Sequence, residues 1–309
     1  MKAAQIKKFG GPEVMEIVEV EKPKPGPGQV LVKVQAVSIN PFDYKLRGGM
    51  IPTMQFPFTL GSDIAGEVTE LGEGVERFTV GDKVYGQAIV LAGATGAFAE
   101  FTAVKTDNIA QMPGNIDFNQ AAAVVLTGVS AVQALVEHMQ LKAGQKVLVQ
   151  GGAGGIGTMA IQIAKHLGVY VTATATGEGI DYVKNLGADE VIDYKTQKFE
   201  EIIKEYDGVF DTVGGETFEK SFMVLKKGGV MVSMVEKDEK NLAGEYGVTV
   251  IGQGTKVNTE NLAMLSKLIE DGAVKPHIDK IYPFDKIKEA FEEQEKGQVR
   301  GKIVITINY

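Results

Sequence analysis

The chain is 309 residues long, 44% of them hydrophobic and 23% charged, with a net charge of −8 at pH 7. This length suggests about two domains, and the acidic balance disfavours nucleic acid or an anionic membrane surface as the main partner. No cysteine is present, which excludes disulfides and cysteine-bound metal sites. The N-terminus lacks the apolar core of a signal peptide, and the longest apolar stretch, residues 121–136, is too short and too polar to span a bilayer. We therefore expect a soluble, cytoplasmic protein.

The N-terminal part of the chain predicts short β-strands. Over residues 30–37, every second residue is Val30, Val32, Val34 and Ala36, and the residues between them are Leu31, Lys33, Gln35 and Val37. A period of two residues is that of a strand. The segments 64–71 and 83–86 are separated by turns that contain glycine. Short strands with frequent turns are typical of a compact β-barrel.

From Asn119 onward the pattern changes to helices that alternate with strands. Asn119 is predicted to cap a long helix over residues 120–139, and the tail predicts helices at 259–271 and 285–295 and a strand at 301–307. Strands that alternate with helices predict a parallel sheet covered on both faces. Its six predicted strands lie at 147–149, 169–171, 191–192, 209–210, 230–235 and 248–251.

A glycine-rich turn directly follows the first of these strands and leads into a helical pattern. Within it, Gly152, Gly154 and Gly157 match G-x-G-x-x-G. In this motif one glycine permits the tight turn, one lets the backbone approach a pyrophosphate, and one allows helix and strand to pack closely. The helix N-terminus offers free N–H groups to the phosphates. A loop that merely turns the chain is the alternative, but the flanking strand and helix favour a dinucleotide site.

The order of these elements resembles the medium-chain dehydrogenase/reductase superfamily over nearly the whole chain. The resemblance is carried by motifs such as INPFDYKLRGG at 39–49, GSDIAGEV at 61–68, VQGGAGGIG at 149–157 and RGKIVI at 300–305. It implies an α/β protein with a GroES-like β-barrel catalytic domain, residues 1–120 and 273–309. A Rossmann domain with a doubly wound, parallel, six-stranded sheet is expected at residues 121–272. Within the superfamily the chain is most similar to the zinc-independent quinone oxidoreductases and alkenal or enone reductases.

The residues themselves favour the zinc-free branch. Zinc alcohol dehydrogenases of this superfamily place a cysteine near Asn40 and a His-Glu pair where Ser62 and Asp63 stand. This chain has no cysteine, and its three histidines are scattered, so we predict that it binds no metal. Without zinc, no Lewis acid polarises an alcohol. Reduction of an activated carbon–carbon double bond or a quinone is therefore favoured over alcohol oxidation.

The resemblance places the stretch from Asn40 to Lys45 near the nicotinamide. Asn40 is expected to orient the nicotinamide or the substrate carbonyl, and Tyr44 to act as a wall or hydrogen-bond donor. Lys45 is expected to hydrogen-bond the carbonyl oxygen and support protonation, as the matching lysine is thought to do in enone reductases. The alternative is that Lys45 and Arg47 are solvated and that Asp43 only caps a turn.

The cofactor contacts implied by the resemblance lie in the glycine turn and at strand ends. Thr127 matches a position near the nicotinamide, although a helix-interior hydroxyl bonded to its own backbone is an equal alternative. The full set of expected contacts is Thr127, Gly152, Gly154, Gly155, Ile156, Gly157, Thr174, Thr176, Tyr194 and Val213.

The choice between NAD and NADP depends on the loop after the second strand of this sheet. An NAD site places a carboxylate at the strand end, where this chain has Ala175 and Thr176. A carboxylate there would repel a 2′-phosphate by about 4 kcal/mol at about 4 Å and an effective dielectric near 20. Tyr194 matches a tyrosine that contacts the 2′-phosphate in quinone oxidoreductases, unless it is an ordinary strand-end residue. Two features count against NADP. Gly179 stands where NADP-binding relatives usually carry a lysine or arginine, and Glu178 lies at the spacing usual for the acidic residue of an NAD site. The balance nevertheless favours NADPH.

These inferences predict an NADPH-dependent, zinc-independent reductase of a small-molecule enone, enal or quinone. An enoyl-thioester reductase is a second enzymatic possibility. A non-catalytic NADPH-binding protein, crystallin-like or regulatory, is the alternative from another class. By analogy we expect a homodimer joined through the last strand of the nucleotide sheet, near residues 248–251, and neither nucleic acid nor a membrane as partner.

Overall fold

The computed structural model describes residues 1–307, and the chain divides into two compact units. The first unit comprises residues 1–126, 257–270 and the chain from 276 onward; the second comprises 127–256 and 271–275. The sequence analysis placed the boundary at which the chain passes from the first unit to the second between residues 120 and 121, six residues earlier than the structure does. It also assigned the helical segment 257–270 to the nucleotide domain, whereas this segment belongs to the first unit.

The strands are β1 (Lys2–Ile6), β2 (Glu16–Glu19), β3 (Gln29–Ser38), β4 (Phe58–Thr59), β5 (Asp63–Leu71), β6 (Lys83–Gln87), β7 (Phe101–Lys105), β8 (Ile109–Gln111), β9 (Lys146–Val149), β10 (Tyr170–Ala175), β11 (Glu190–Asp193), β12 (Tyr206–Asp211), β13 (Leu225–Ser233), β14 (Thr249–Gly252), β15 (Ile278–Pro283) and β16 (Lys302–Thr306). The helices are α1 (Pro41–Arg47), α2 (Phe118–Val132), α3 (Gly155–His166), α4 (Gly179–Asn185), α5 (Phe199–Ile202), α6 (Glu216–Ser221), α7 (Leu242–Tyr246), α8 (Thr259–Glu270) and α9 (Ile287–Glu295).

The first unit is organised around β3, which pairs antiparallel with β5, β7 and β16. The larger sheet runs in the order β15-β16-β3-β5-β6-β8, and a separate three-stranded sheet runs β2-β1-β4. Val30, Val32 and Val34 of β3 are completely buried, because strands pair on both of its edges and apolar side chains cover its inner face. This is the GroES-like unit predicted from the short strands and the family motifs.

The second unit contains a six-stranded sheet in the order β11-β10-β9-β12-β13-β14, and every pair in it is parallel. In order along the chain this is 3-2-1-4-5-6, the strand order of a Rossmann fold. Val147, Leu148 and Val149 of the central strand β9 are completely buried, as expected for a strand with helices on both faces. The predicted doubly wound six-stranded sheet is confirmed.

Helix α2 begins earlier than predicted and is capped by Asp117 instead of Asn119. The Gln120 N–H donates to Asp117 Oδ1 at 2.8 Å, and the Asp117 N–H donates to Gln120 Oε1 at 3.1 Å. This reciprocal pair is a capping box. The helix continues as a π-helical turn over Gln133–His138. Together these 21 residues are long and apolar enough to cross a membrane by composition, but 78% of the apolar window is buried inside the protein, as in the core helix of a soluble protein.

Candidate functional site

The glycine turn of the second unit joins β9 to α3. Helix α3 begins at Gly155, with Gly154 as its N-cap. Its first hydrogen bond runs from the Thr158 N–H to the Gly154 carbonyl at 2.9 Å. The amides of Gly155, Ile156 and Gly157 therefore have no acceptor within the helix and can bind an anion.

The glycines of this turn meet different requirements. A Cβ on Gly157 would lie 2.3 Å from the Gly151 carbonyl oxygen and 2.7 Å from Gly152 Cα, so the helix can approach the turn only if residue 157 is glycine. A Cβ on Gly152 would lie 2.9 Å from the Ala173 side chain of β10. A Cβ on Gly154 would meet only the Gly151 carbonyl oxygen, at 3.4 Å. The open space beside Gly154 fits the close approach of a pyrophosphate to the backbone.

A buried hydrogen-bond network supports the turn from below. Thr174 Oγ1 donates to Gln150 Oε1 at 2.8 Å and accepts from the Gly151 N–H at 3.0 Å. Gln150 Nε2 in turn donates to Ser221 Oγ on α6 at 3.3 Å. Because the Thr174 hydroxyl is used in this network, the structure favours a supporting role for Thr174 over the direct cofactor contact expected from the sequence.

A cavity of about 450 Å³ opens beside this network at the carboxyl ends of the strands. Thr174, Tyr194 and Val213 line it, as do Lys198 and Lys220, which the sequence reasoning missed. Lys220 forms ion pairs with the carboxylates of α5 and α6, and Lys198 pairs with a third carboxylate on α5. The lining therefore combines an exposed aromatic ring with ammonium groups that carboxylates largely neutralise.

Thr176 lies outside the lining of this cavity and contacts a carboxylate instead. Hydrogen bonds from the Lys195 backbone and from the Thr176 side chain hold the pKa of Asp193 below its usual value. Asp193 is the last residue of β11, so the neighbouring strand brings a carboxylate to the end of β10. Sequence reasoning weighed Ala175, Thr176 and Tyr194 for the cofactor choice but not Asp193, and therefore overlooked this charge.

Thr127 is buried inside α2, with 3% of its surface exposed. A hydroxyl in this position has the surroundings of a helix-interior threonine. Both interpretations of Thr127 made from the sequence remain predictions.

In the first unit, the stretch from Asn40 to Lys45 forms the start of α1. Asn40 is the N-cap, and its backbone N–H donates to Asp43 Oδ2 at 2.7 Å in a capping box. Lys45 is exposed, and its side chain forms no hydrogen bond or ion pair with any residue in the described range 1–307. Tyr44 is half-buried, and partial burial, assisted by the Glu295 carboxylate, raises the pKa of its phenol. Tyr44 and Lys45 are therefore the two predicted side chains of α1 that remain available to a ligand.

Asn40, by contrast, is completely buried and hydrogen-bonded. Its Nδ2 donates to Ser62 Oγ at 3.0 Å and to Asp63 Oδ2 at 2.8 Å. Its Oδ1 accepts from Lys302 Nζ at 2.5 Å. This geometry favours a structural role for Asn40 over the nicotinamide or carbonyl contact expected from the sequence.

Three ionisable groups meet around Asn40, and burial shifts each of them toward its neutral form. Desolvation, reinforced by the neighbouring Asp63, raises the pKa of Asp43 to about 7. Desolvation also raises the pKa of Asp63 and lowers that of Lys302, although the ammonium and the carboxylates oppose these shifts by mutual attraction. Lys302 was missed as a site residue; a single lysine at the head of the apolar strand KIVI was the available signal.

Arg47, at the other end of α1, is not solvated as the alternative interpretation supposed. Only 2% of its side chain is exposed, and its Nη2 donates to Glu295 Oε1 at 2.7 Å. Its Nε donates to the Gly10 carbonyl at 3.1 Å, and its guanidinium carbon lies 5.1 Å from the centre of the Phe291 ring. A buried basic residue therefore lies at each end of α1: Lys302 contacts its N-cap, and Arg47 is its last residue.

The positions that hold zinc ligands in the zinc alcohol dehydrogenases come together here as Asn40, Ser62 and Asp63. Within residues 1–307, no group of three or more His, Cys, Asp or Glu side chains could hold a metal ion.

A Rossmann unit with an intact dinucleotide turn, in one chain with a GroES-like unit, defines a nicotinamide-dependent oxidoreductase.

Comparison with known proteins agrees with this class. Residues 26–114 match the alcohol dehydrogenase GroES-like domain family, and residues 186–305 match the family described as zinc-binding dehydrogenase. The chain is 36% identical over 320 residues to the chloroplastic NADPH-dependent alkenal/one oxidoreductase of Arabidopsis thaliana, which covers 99% of this chain and 79% of that protein.

Two solved structures extend the comparison. The quinone oxidoreductase from Coxiella burnetii superposes with a TM-score of 0.91 at 34% identity, covering 100% of this chain and 99% of the other. The Escherichia coli quinone oxidoreductase complexed with NADPH gives a TM-score of 0.89 at 28% identity, covering 99% and 100%. The chain belongs to the medium-chain dehydrogenase/reductase superfamily, in the branch of the quinone oxidoreductases and alkenal/enone reductases.

Proposed function

We propose that this protein is an NADPH-dependent, zinc-independent reductase of α,β-unsaturated ketones and aldehydes or of quinones. Two structural features together carry the proposal, one in each unit. One has an open dinucleotide turn. The other has, at the positions of zinc ligands in related enzymes, a buried Asn–Asp–Lys cluster beside an exposed lysine on α1.

The second unit fits the phosphates of a dinucleotide. The space beside Gly154 is free, and the amides of Gly155, Ile156 and Gly157 point out of the first turn of α3. The 450 Å³ cavity beside the turn is the space we assign to the adenosine part, with Tyr194 against it. When bound, NADPH supplies a hydride from C4 of its nicotinamide.

Lys45 and Tyr44 are the groups we assign to the substrate. Reduction at the β-carbon of an enone places negative charge on the carbonyl oxygen as an enolate forms. The Lys45 ammonium, which has no partner among the described residues, is free to donate a hydrogen bond to that oxygen. A donor that acts on developing charge typically contributes about 3 to 4 kcal/mol, a factor of 10² to 10³ in rate. Tyr44 lies one residue away on the same helix turn and serves as a wall or second donor.

Reduction at the β-carbon is favoured over reduction of the carbonyl carbon because of the charge that each must stabilise. An alkoxide concentrates its charge on one oxygen and is the species that a zinc ion stabilises in metal-dependent relatives. An enolate spreads its charge over oxygen and carbon, so one or two hydrogen bonds suffice. The residues available on α1 supply hydrogen bonds and no metal ligand set.

Product analysis with C4-deuterated NADPH and a simple enone tests the proposal. We expect deuterium on the β-carbon of a saturated ketone. Deuterium on the carbinol carbon of an allylic alcohol would identify a carbonyl reductase and contradict the proposal. A parallel panel of enones, enals, quinones and enoyl thioesters, each with NADPH and NADH, separates the enoyl-thioester alternative. Binding of NADPH without turnover of any substrate would favour the non-catalytic alternative.

Replacing Lys45 tests its assigned role. Lys45→Ala should lower kcat by about 10² to 10³ while the Kd for NADPH stays close to that of the parent protein, because the dinucleotide turn is unchanged. Lys24→Ala is the matched control, since Lys24 is another exposed lysine of the first unit without a hydrogen bond or ion pair in the described part of the chain. Equal kcat values in the two variants would remove Lys45 from the mechanism.

We also propose that the protein works as a cytoplasmic homodimer. The support is β14, which ends the parallel sheet and pairs only with β13 within residues 1–307. A bare edge strand is a hazard that pairing with a second copy removes. Cell fractionation tests the location.

A further inference from the structure

The ammonium of Lys302 lies in the interior of the first unit, far along the chain from the residues that it contacts. Lys302 is the first residue of β16 and is only 5% exposed. Its Nζ donates to the Ile39 carbonyl and to Asn40 Oδ1, both at 2.5 Å. Asn40 precedes it by 262 positions. The last strand of the chain therefore holds the residues that begin α1.

These contacts belong to a network that fixes the first turn of the helix. Asn40 Oδ1 accepts a hydrogen bond from the Lys302 ammonium, while Asn40 Nδ2 donates to Ser62 and Asp63 at the start of β5. Asp63 Oδ2 also accepts from Ser38 Oγ at 3.1 Å. The N-cap is thus bound by β16 and by β5 through the Asn40 amide group, and Ser62 Oγ adds a direct hydrogen bond to Asp43 Oδ1 of α1 at 3.3 Å.

The charges of the network make the ammonium difficult to replace. Asp63 is completely buried, and its Oδ1 has no hydrogen-bond partner in the described residues. Among the groups around it, the Lys302 ammonium does most to oppose the rise that burial gives the pKa of Asp63. Removing the ammonium would leave the buried carboxylate without an opposing charge, which is far more costly than removing both charges together. A methionine at position 302 would also leave the Ile39 carbonyl and Asn40 Oδ1 without their donor.

We propose that Lys302 is a positioning residue, whose buried ammonium fixes the first turn of α1 and thereby the orientation of Tyr44 and Lys45. Lys302 does not touch the substrate, so its effect on turnover passes through Asn40. A displacement of about 1 Å in a catalytic group can cost about 10²-fold in rate. The catalytic consequence rests on the function proposed above, whereas the effect on the order of α1 does not.

Three variants separate positioning from general stability. Lys302→Met removes the ammonium, and Lys302→Met combined with Asp63→Asn removes both charges. Ile303→Ala, on the same strand and completely buried, is a control that loses packing without touching the network. For each we would measure the melting temperature, kcat and KM with NADPH and an enone, and hydrogen exchange of peptides that cover residues 39–48.

The double variant gives the decisive comparison. We expect it to recover part of the melting temperature lost in Lys302→Met, because Asp63 no longer leaves a buried charge without the opposing ammonium. Asp43, whose pKa burial already raises to about 7, is retained in both variants. The kcat of the double variant should nevertheless stay about 10- to 100-fold low, with KM for NADPH within about twofold of the parent, and exchange over 39–48 should stay faster than in Ile303→Ala. Recovery of kcat together with stability would overturn the proposal, as would parental exchange over 39–48. If the parent protein reduces no enone or quinone, the proposed function fails, and the exchange data alone decide on Lys302.

Discussion

Two glycines of the dinucleotide turn should respond to substitution in opposite ways. Gly154→Val places a side chain where the only neighbour of its Cβ is the Gly151 carbonyl oxygen at 3.4 Å, and φ at this position is −75°. The backbone therefore accepts valine, and loss of the N-cap glycine should cost up to about 1 kcal/mol. Gly157→Ala instead forces a Cβ to within 2.3 Å of a backbone oxygen. Backbone atoms cannot move aside as a side chain can, so this variant should lose about 1–3 kcal/mol or more of folding stability.

Cofactor binding should distinguish the same two variants. The valine methyl groups of Gly154→Val would occupy the space assigned to the pyrophosphate. A hydrogen bond to a charged group contributes about 1.5–3 kcal/mol, so losing one or two of them should raise the Kd for NADPH by a factor of about 10 to 10⁴. Titration of NADPH fluorescence gives the Kd, and thermal unfolding shows whether the variant is folded. A folded Gly154→Val that binds NADPH like the parent would place the phosphates elsewhere and refute the reasoning.

Three further outcomes are expected. Metal analysis of the purified protein should find no stoichiometric zinc; one tightly held zinc per chain, with activity lost to a chelator, would contradict this. Because burial raises the pKa of Asp43 to about 7 from 3.8, the folded state binds more protons than the unfolded state between these values. The free energy of unfolding should then fall as pH rises from about 4 to about 7. Asp43→Asn should reduce that slope, and an unchanged slope in chemical denaturation would rule out Asp43 as its source. Light scattering at micromolar concentration should give the mass of a dimer, and a monomeric mass would argue against pairing through β14.

Local patterns in the sequence predicted the second unit well. The six strands of its sheet are short apolar runs between helical segments. The runs at 191–192 and 209–210 are only two residues long and were recognised from that alternation with helices. The glycine turn was equally clear, because its spacing and its flanking elements lie within a few residues of each other. The same local view could not show which glycine serves which purpose. That division depends on how closely Gly157 packs against Gly151 and how open the space beside Gly154 is.

The first unit was harder to predict because its contacts join distant parts of the chain. Asn40 was expected to face a ligand, since nothing near it in sequence reveals a buried partner. The ammonium donor of Asn40 is Lys302, 262 positions later in the chain. The carboxylate that pairs with Arg47 belongs to Glu295, 248 positions after Arg47. Helix α1 itself could have been recognised from the capping box of Asn40 and Asp43. The surroundings of its side chains could not.

The pairing of β3 with β16 sets an order of events during protein synthesis. Asn40 leaves the ribosome 262 residues before its partner Lys302. At roughly 5–20 residues per second, that interval lasts roughly 13–50 s. Throughout it, the edge of β3 that β16 will occupy is unpaired, and Asn40 Oδ1 lacks its ammonium donor. A nascent chain in this state exposes an unpaired strand edge, which favours association with other chains. A chain truncated just before residue 302 should therefore aggregate unless chaperones bind it, even though it contains every residue assigned to the cofactor and the substrate.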